Sequence, residues 1–125
     1  MSCSVFVWYN DLTMWSIIFF SSSGGRIYVN DFIQTLLPQT KAKLIRIIDL
    51  LEQFGPELPM PYSKKITPNL YELRVLGKNN LRILYTIDSD EREIILLHAF
   101  AKKSQKLNVK DISLAESRRK RIDRL

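Results

Sequence analysis

Three short apolar runs separated by turn residues fill residues 69–103. The runs cover residues 71–76, 81–87 and 94–100, and clusters of Gly, Asn, Asp and Ser lie between them. Such β-branched and aromatic runs, broken by turn formers, are typical of antiparallel strands joined by tight turns. The sequence therefore predicts a three-stranded β-meander. The third run is apolar on both faces, so we expect it to be the buried, central strand.

Alternation places two arginines on one face of this meander. If residues 77–79 form the first turn, Arg74 lies opposite Arg82, on the face that also carries Glu72. Like charges in that arrangement repel by about 0.2–1 kcal/mol, so replacing either arginine by Ala should leave the fold intact or slightly more stable. The pair is tolerated if the face is in water or if an anion lies between the guanidinium groups. We therefore predict a phosphate clamp, since the arginine fork matches phosphate oxygens two at a time.

The rest of the chain predicts helices around the meander. Residues 15–20 form a strand pattern, residues 29–37 a short helix, and apolar residues at helical spacing continue from Pro38 to a stop at Gly55. Asn108 is the expected N-cap of a last helix, with Asp111 at the capping-box position. The predicted fold is α+β: two N-terminal helices packed on a twisted, mainly antiparallel sheet of about four strands, closed by a basic C-terminal helix.

One domain accounts for most of the 125 residues, of which 46% are hydrophobic and 26% charged. Residues 1–13 fit no element of it and contain no Lys or Arg, so they lack the charged start of a secretory signal. Their apolar run is shorter than the ~20 residues that span a bilayer. We expect residues 1–13 to be an extension or a gene-model artefact, with residues 14–125 forming the domain and Met14 as its functional start. The single cysteine, Cys3, cannot form an internal disulfide, which suits the cytoplasm.

The net charge of +6 comes entirely from the C-terminal end. Residues 1–100 contain ten Lys or Arg and ten Asp or Glu, whereas residues 101–125 contain nine and three. This asymmetry favours a polyanionic or acidic partner, and a solvated basic helix face is the alternative. One Cys and one His, with no Cys-x-x-Cys, GxGxxG or P-loop, predict neither metal nor cofactor. The lone His98 is either a general base, because histidine titrates near neutral pH, or a strand-end residue satisfied by a hydrogen bond.

Three spaced segments resemble the RelE/HigB-like family of bacterial toxin RNases, in particular its phage-derived HigB-like branch. They are LYELR at residues 70–74, LRILY at 81–85, and LLHAFAKKSQK at 96–106, which is similar to a His-Gly-Phe, Lys-Lys, Thr-Gln-Lys segment of that branch. The resemblance covers residues 15–122. It implies the toxin of a type II toxin–antitoxin system, a cytoplasmic endoribonuclease that cuts mRNA on the ribosome. It also implies a helix-turn-helix antitoxin, a toxin–antitoxin hetero-oligomer and no membrane.

Cleavage of RNA needs no metal, because the 2′-OH of the RNA is itself the nucleophile. The protein has to neutralise the charge that develops on the phosphate and protonate the leaving 5′-oxygen. The resemblance assigns this chemistry to basic side chains on the central strands and just after the last one. The candidate catalytic residues are Arg74, Arg82, Lys102 and Lys103, and the candidate RNA-binding residues are Lys65, Lys106, Arg118 and Arg119.

Three positions depart from the family pattern. Ala99 stands where relatives carry Gly, Leu107-Asn108 stands where they often carry Thr-Pro, and no tyrosine follows Tyr85. The general acid is therefore unassigned. The alternative function is a non-catalytic RNA- or protein-binding module on the same fold, such as a decayed prophage toxin, whose cations bind ribosomal RNA or an acidic antitoxin.

Overall fold

The described part of the chain forms one sheet with helices packed on it. The computed structural model describes residues 14–77, 80–103, 106 and 108–122, and the expected extension, residues 1–13, lies outside them. No helix in these described ranges is long and apolar enough to cross a membrane. The elements are β1 (Ser16–Phe19), α1 (Tyr28–Gln34), α2 (Pro38–Phe54), a 3-10 turn (Gly55–Glu57), β2 (Ser63–Thr67), β3 (Leu70–Val75), β4 (Leu81–Asp88), β5 (Glu93–Ala101) and α3 (Val109–Lys120).

Five strands form one mixed sheet in the order β1-β5-β4-β3-β2. β1 runs parallel to β5, and the other neighbours are antiparallel. The predicted α+β fold is confirmed, with one strand more than expected. The additional strand is β2, whose residues the sequence analysis assigns to no helix or strand. Because Lys64 and Lys65 are charged, the sequence of β2 shows no apolar alternation. Short, charged strands are typical of sheet edges.

The middle of the sheet is β4 and not the third strand of the meander. β5 lies between β1 and β4, while β3 and β2 follow on the other side of β4. The expectation that the third run is central is therefore wrong by one position. Its burial was correctly predicted, because β5 has a neighbour on each side and residues Ile94, Ile95, Leu96 and Leu97 are all buried.

Helices cover both faces of the sheet. Val29 and Ile33 of α1 and Leu44 and Leu51 of α2 pack in one cluster with the inward side chains of the strands. Burying each such side chain contributes about 1.5–3 kcal/mol before chain entropy is subtracted. The opposite face packs against α3 through Ala115. The predicted arrangement of helices is confirmed, although α1 ends at Gln34 rather than at residue 37.

A bulge in β5 decides which face carries its histidine. Leu84 pairs with His98, but Tyr85 pairs with Leu96, so Leu97 is an extra residue in the ladder. Simple alternation would put His98 on the same face as Leu96, towards α2. Leu97 instead packs in the cluster beneath α3, and His98 also contacts α3. Bulges re-aim side chains in this way and occur often beside functional sites.

Candidate active site

Arg74 and Arg82 face each other across the β3–β4 ladder, as predicted. Between them lies Glu72, whose Oε1 accepts a hydrogen bond of 2.9 Å from Nε of Arg74. Its Oε2 lies 3.7 Å from Nε of Arg82. Glu72 is 1% exposed and Arg82 6% exposed, so this part of the face is not in water. The anion that separates the two guanidinium groups is thus a carboxylate of the chain itself.

Arg82 is held in a fixed orientation. Its Nη1 donates a hydrogen bond of 2.9 Å to the carbonyl oxygen of Leu81. Burial lowers the pKa of Arg82, while the charge of Glu72 opposes that shift. Arg82 Nε and Glu72 Oε2 are buried without a hydrogen-bond partner among the described residues. A guanidinium oriented in this way is a preorganised positive charge, the kind of group that stabilises a phosphate gaining negative charge.

A basic cleft opens where β5 ends and α3 begins. It has a volume of about 250 Å³ and is lined by Phe100, Ala101, Lys102, Lys103, Lys106, Asn108 and Asp111. The backbone N–H of Lys102 donates to the carbonyl oxygen of Asn80 (2.9 Å), which attaches this segment to the β3–β4 turn. Asn80 has φ of 50°, a left-handed conformation that asparagine tolerates. Phe100 pairs with Arg82 in the sheet, so the cleft continues the row that contains both arginines.

His98 and Asp111 join the sheet to α3 beside this cleft. The His98 Nε2 and Asp111 Oδ1 atoms lie 2.7 Å apart. The imidazole stacks on Phe100, with ring centroids 5.0 Å apart. The side chain of Asn108 accepts a hydrogen bond from the backbone N–H of Lys110, which confirms Asn108 as the N-cap. Asp111 in the first turn directs its carboxylate at the histidine, a contact that the capping-box pattern did not predict.

Three candidate residues lie away from the cleft. Lys65 pairs with Tyr71 on the face opposite Arg82, with Nζ 5.8 Å from that ring. Arg118 is buried: its Nη1 donates to the carbonyl oxygen of Leu97 (2.7 Å), and burial lowers its pKa. Arg119 lines a separate cavity with Pro68, Asn69 and Ser89 at the other end of the sheet. The residues that the structure brings together are Arg74, Arg82, Lys102, Lys103 and Lys106; the geometry of Arg118 favours a structural role.

Sequence reasoning missed three contributors. Glu72 and Asp111 were recognised as residues of a strand face and a helix cap, but their partners come from other elements. Lys64 pairs with Glu72 and so lies on the side of the sheet that carries the arginines. Alternation would have revealed Lys64 if β2 had been recognised as a strand.

Tyr85 is the last tyrosine of the chain and it lies on the other face of the sheet. Its hydroxyl is hydrogen bonded to Ser63. Burial raises the pKa of Tyr85 to about 12, with Ser63 opposing the shift. Tyr85 therefore does not reach the cleft as an acid. The described residues also contain no group of three His, Cys, Asp or Glu side chains that could hold a metal ion.

A mixed five-stranded sheet between helices, with a basic cleft at the end of its meander, defines a small α+β protein of the RelE fold. A chain of the archaeal RelE–RelB complex from Pyrococcus horikoshii aligns with a TM-score of 0.50 and 16% identity, over 70% of this chain and 93% of that chain. A chain of the toxin–antitoxin complex RelBE2 from Mycobacterium tuberculosis aligns with a TM-score of 0.51 and 14% identity, over 74% and 95%. At these identities the similarity is one of fold. No curated protein matches the sequence.

Residues 31–120 match the family described as Phage derived protein Gp49-like (DUF891). The chain therefore belongs to this phage-derived Gp49-like family, a RelE/HigB-like toxin family. The matched region contains all three segments on which the sequence resemblance depends, and that resemblance is confirmed.

Proposed function

We propose that the protein is the toxin of a type II toxin–antitoxin system, an endoribonuclease that cuts ribosome-bound mRNA in the cytoplasm. The observation that carries this proposal is the convergence of Arg74, Arg82, Lys102 and Lys103 at one end of the sheet, on the side of α3. Membership in the Gp49-like family supports it. A group of converging cations suits RNA cleavage by the 2′-OH of the substrate, because it can neutralise the charge that develops on the phosphate.

The two arginines and the two lysines have different roles in the proposed reaction. Arg74 and Arg82 bind the scissile phosphate and neutralise the charge that it gains in the transition state. Lys102 and Lys103 bind the RNA beside that phosphate or supply the proton that the leaving 5′-oxygen takes up. Lys106 extends the cationic lining of the cleft towards α3. The loss of one such preorganised donor raises the barrier by about 3–4 kcal/mol.

The proposed partner is a helix-turn-helix antitoxin in a hetero-oligomer with the toxin. Both structural neighbours were solved in complexes, named RelE–RelB and RelBE2. An acidic antitoxin segment laid over the basic cleft would cover Lys102, Lys103 and Lys106 and exclude RNA. The complex should therefore form readily at low salt and protect RNA from cleavage, because exposed opposite charges attract over about a Debye length.

Expression in a bacterial host tests the activity. The wild-type protein should arrest growth, and mapping of mRNA 5′ ends in a translation extract should show cleavage within ribosome-bound codons. Arg82→Ala should reduce cleavage by about a hundredfold or more, the scale of a lost transition-state donor. Arg46→Ala on α2 is the matched control, since it removes an exposed arginine from the helix that covers the other face. Intact mRNA in the presence of folded wild-type protein would overturn the proposal.

The non-catalytic binding module stays the second candidate because of Glu72. A chain that pairs both arginines with its own carboxylate already has a structural use for them. In that case the wild-type protein binds RNA or a protein partner, and neither arginine substitution changes the integrity of mRNA. The double mutant Arg74→Ala, Arg82→Ala separates the two functions. A clamp predicts a loss larger than either single loss but smaller than their product.

A further inference from the structure

His98 lies beside the basic cleft, and its ring is oriented so that one nitrogen can accept a proton. A carboxylate only accepts hydrogen bonds, so the contact with Asp111 Oδ1 places a proton on Nε2 of His98. Nδ1 then carries the lone pair, and it has no hydrogen-bond partner within the described part of the chain. Stacking on Phe100 restricts rotation of the ring. The side chain remains 15% exposed, so solvent or substrate can reach it.

The position of His98 relative to Arg82 suits one phosphodiester. Arg82 pairs with Phe100, and His98 is two residues before Phe100, so Arg82 and His98 are diagonal neighbours on the sheet. Such neighbours lie about 7–8 Å apart. A phosphate bound by the guanidinium would thus hold the adjacent ribose within reach of the imidazole. Between His98 and Phe100 the register with β4 is regular, and the bulge at Leu97 changes the face of His98 only relative to Leu96.

We infer that His98 is the general base of the cleavage reaction and that Asp111 is the positioning residue that sets its tautomer. The inference rests on the proposed ribonuclease function. Nδ1 of His98 takes the proton of the 2′-OH as O2′ forms its bond to phosphorus. The bond from phosphorus to O5′ breaks, and an ammonium group of the Lys102–Lys103 pair gives its proton to O5′. The products are a 2′,3′-cyclic phosphate and a 5′-hydroxyl; His98 then releases its proton to water and the lysine takes one up from water.

Charged side chains on several elements lie on the side of the sheet that carries His98. Glu72 lies in the same row of the sheet and is neutralised by the two arginines. The charged side chains of the described residues on this side of the sheet include Lys64, Glu72, Arg74, Arg82, Lys102, Lys103, Lys106, Lys110, Asp111 and Arg118. Asp111 is the one in direct contact with the imidazole.

A purely structural role, holding α3 on the sheet, is the competing explanation of the His98–Asp111 contact. A second contact between the same two layers provides the control. Thr67 Oγ1 donates to Glu116 Oε1 at 3.1 Å, near the other end of α3. Glu116→Ala removes that contact and leaves the cleft untouched. The Glu116→Ala variant should show a fall in melting temperature similar to that of His98→Gln, and its rate of mRNA cleavage should equal that of the wild type.

The decisive measurement is the rate of cleavage of one ribosome-bound mRNA between about pH 5 and about pH 9, where histidine changes charge. His98→Gln should reduce the rate by about 10²–10⁴-fold, the usual contribution of a general base. It should also remove the acidic limb of the pH profile, which a structural role would not do. Asp111→Asn should reduce the rate by about tenfold or more and keep that limb, because the base is present but poorly oriented.

Nitrogen NMR of the imidazole gives a readout that does not depend on RNA. The chain has one histidine, so its signals need no assignment. The neutral wild-type ring should carry its proton on Nε2, and Asp111→Asn should give a mixture of tautomers. A ring that carries the proton on Nδ1 could not accept another there, and this result would overturn the inference.

The outcomes separate the inference from the proposed function. Wild-type protein that leaves mRNA intact overturns both. If the wild type cleaves mRNA while His98→Gln keeps its rate or its acidic limb, only the role of His98 is overturned. The same holds if Glu116→Ala loses as much activity as His98→Gln, since docking of α3 would then explain both losses.

Discussion

Glu72 gives the arginine pair a second role, in folding. Its carboxylate is almost completely buried between Arg74 and Arg82. The effective cost of burying an unpaired carboxylate is several kcal/mol, so the folded state needs at least one of these cations. From sequence alone, loss of an arginine is expected to relieve repulsion. With Glu72 between the two groups, the expected effect on stability has the opposite sign.

A double-mutant cycle measures this coupling. Arg82→Met should lower the free energy of unfolding by about 2–4 kcal/mol, somewhat less than for breaking an isolated buried pair, because Arg74 still contacts Glu72. Adding Glu72→Gln to Arg82→Met should recover part of the loss, since the uncompensated charge is gone. Urea unfolding of the two single variants and the double variant gives the coupling energy. Losses that add to within about 0.5 kcal/mol would show that Glu72 and Arg82 are independent.

Tyr85 should make stability depend on alkaline pH. Burial raises its pKa from 10.0 to about 12 in the folded protein. Its contribution is therefore complete below pH 10 and is lost as the pH rises through about 12. Wild type should be more stable than Tyr85→Phe at pH 8, where the hydrogen bond to Ser63 contributes about 0.5–1.5 kcal/mol. The difference in melting temperature should shrink above pH 10, and a constant difference would contradict the shift.

At the scale of elements, two local features build the His98–Asp111 contact. The bulge in β5 turns His98 towards α3. The N-cap Asn108 fixes where α3 begins, and Asp111 therefore lies in its first turn. The bulge also packs the fully buried Leu97 into the cluster beneath α3, so it contributes to the core as well as to the orientation of His98.

The N-cap can be tested separately from the residues of the proposed reaction. Asn108→Ala should destabilise the protein by about 1 kcal/mol, because the N–H of Lys110 loses its acceptor. Asn108→Ser keeps an oxygen acceptor and should stay within a few tenths of a kcal/mol of wild type. Chemical denaturation measures both. Equal losses in the two variants would mean that the amide has another role than capping.

At the scale of the whole molecule, the basic side chains of the C-terminal residues divide between the cleft and the last turn of α3. Lys102, Lys103 and Lys106 line the cleft, and the net charge of residues 101–125 accounts for the entire +6. The buried Arg118 contributes less to the outer surface than the sequence indicates. The polyanion-binding surface is therefore expected at the cleft and not along the whole of α3.

RNA binding should accordingly depend steeply on salt. Each neutralised phosphate of a single strand releases counterions, so about four phosphate contacts give a slope of about −3 in log K against log salt concentration. Titration of a labelled RNA from low to high salt measures the slope. Lys103→Ala should make the slope shallower, whereas the control Arg46→Ala should not. A flat response would contradict the polyanion-binding surface.

The sequence by itself determined the three-stranded meander and the face of the sheet on which each of its arginines lies. The pairing of Arg74 with Arg82 follows from a short turn and a period of two, both of which are local properties. The amphipathic spacing of α2 and the N-cap of α3 are local as well. The family was predictable because its motifs lie within these same strands. Whether the grouped basic residues act on RNA remains a prediction.

Only the tertiary structure decided which distant groups meet. β2 became a strand because β3 offered it an edge, and β1 joined β5 from the far end of the chain, which left β4 in the middle. One extra residue, Leu97, reversed the face of His98. Glu72 lies between the arginines and Asp111 reaches His98 because burial makes unpaired charges costly. These pairings join residues from separate elements, and no local pattern in the chain specifies them.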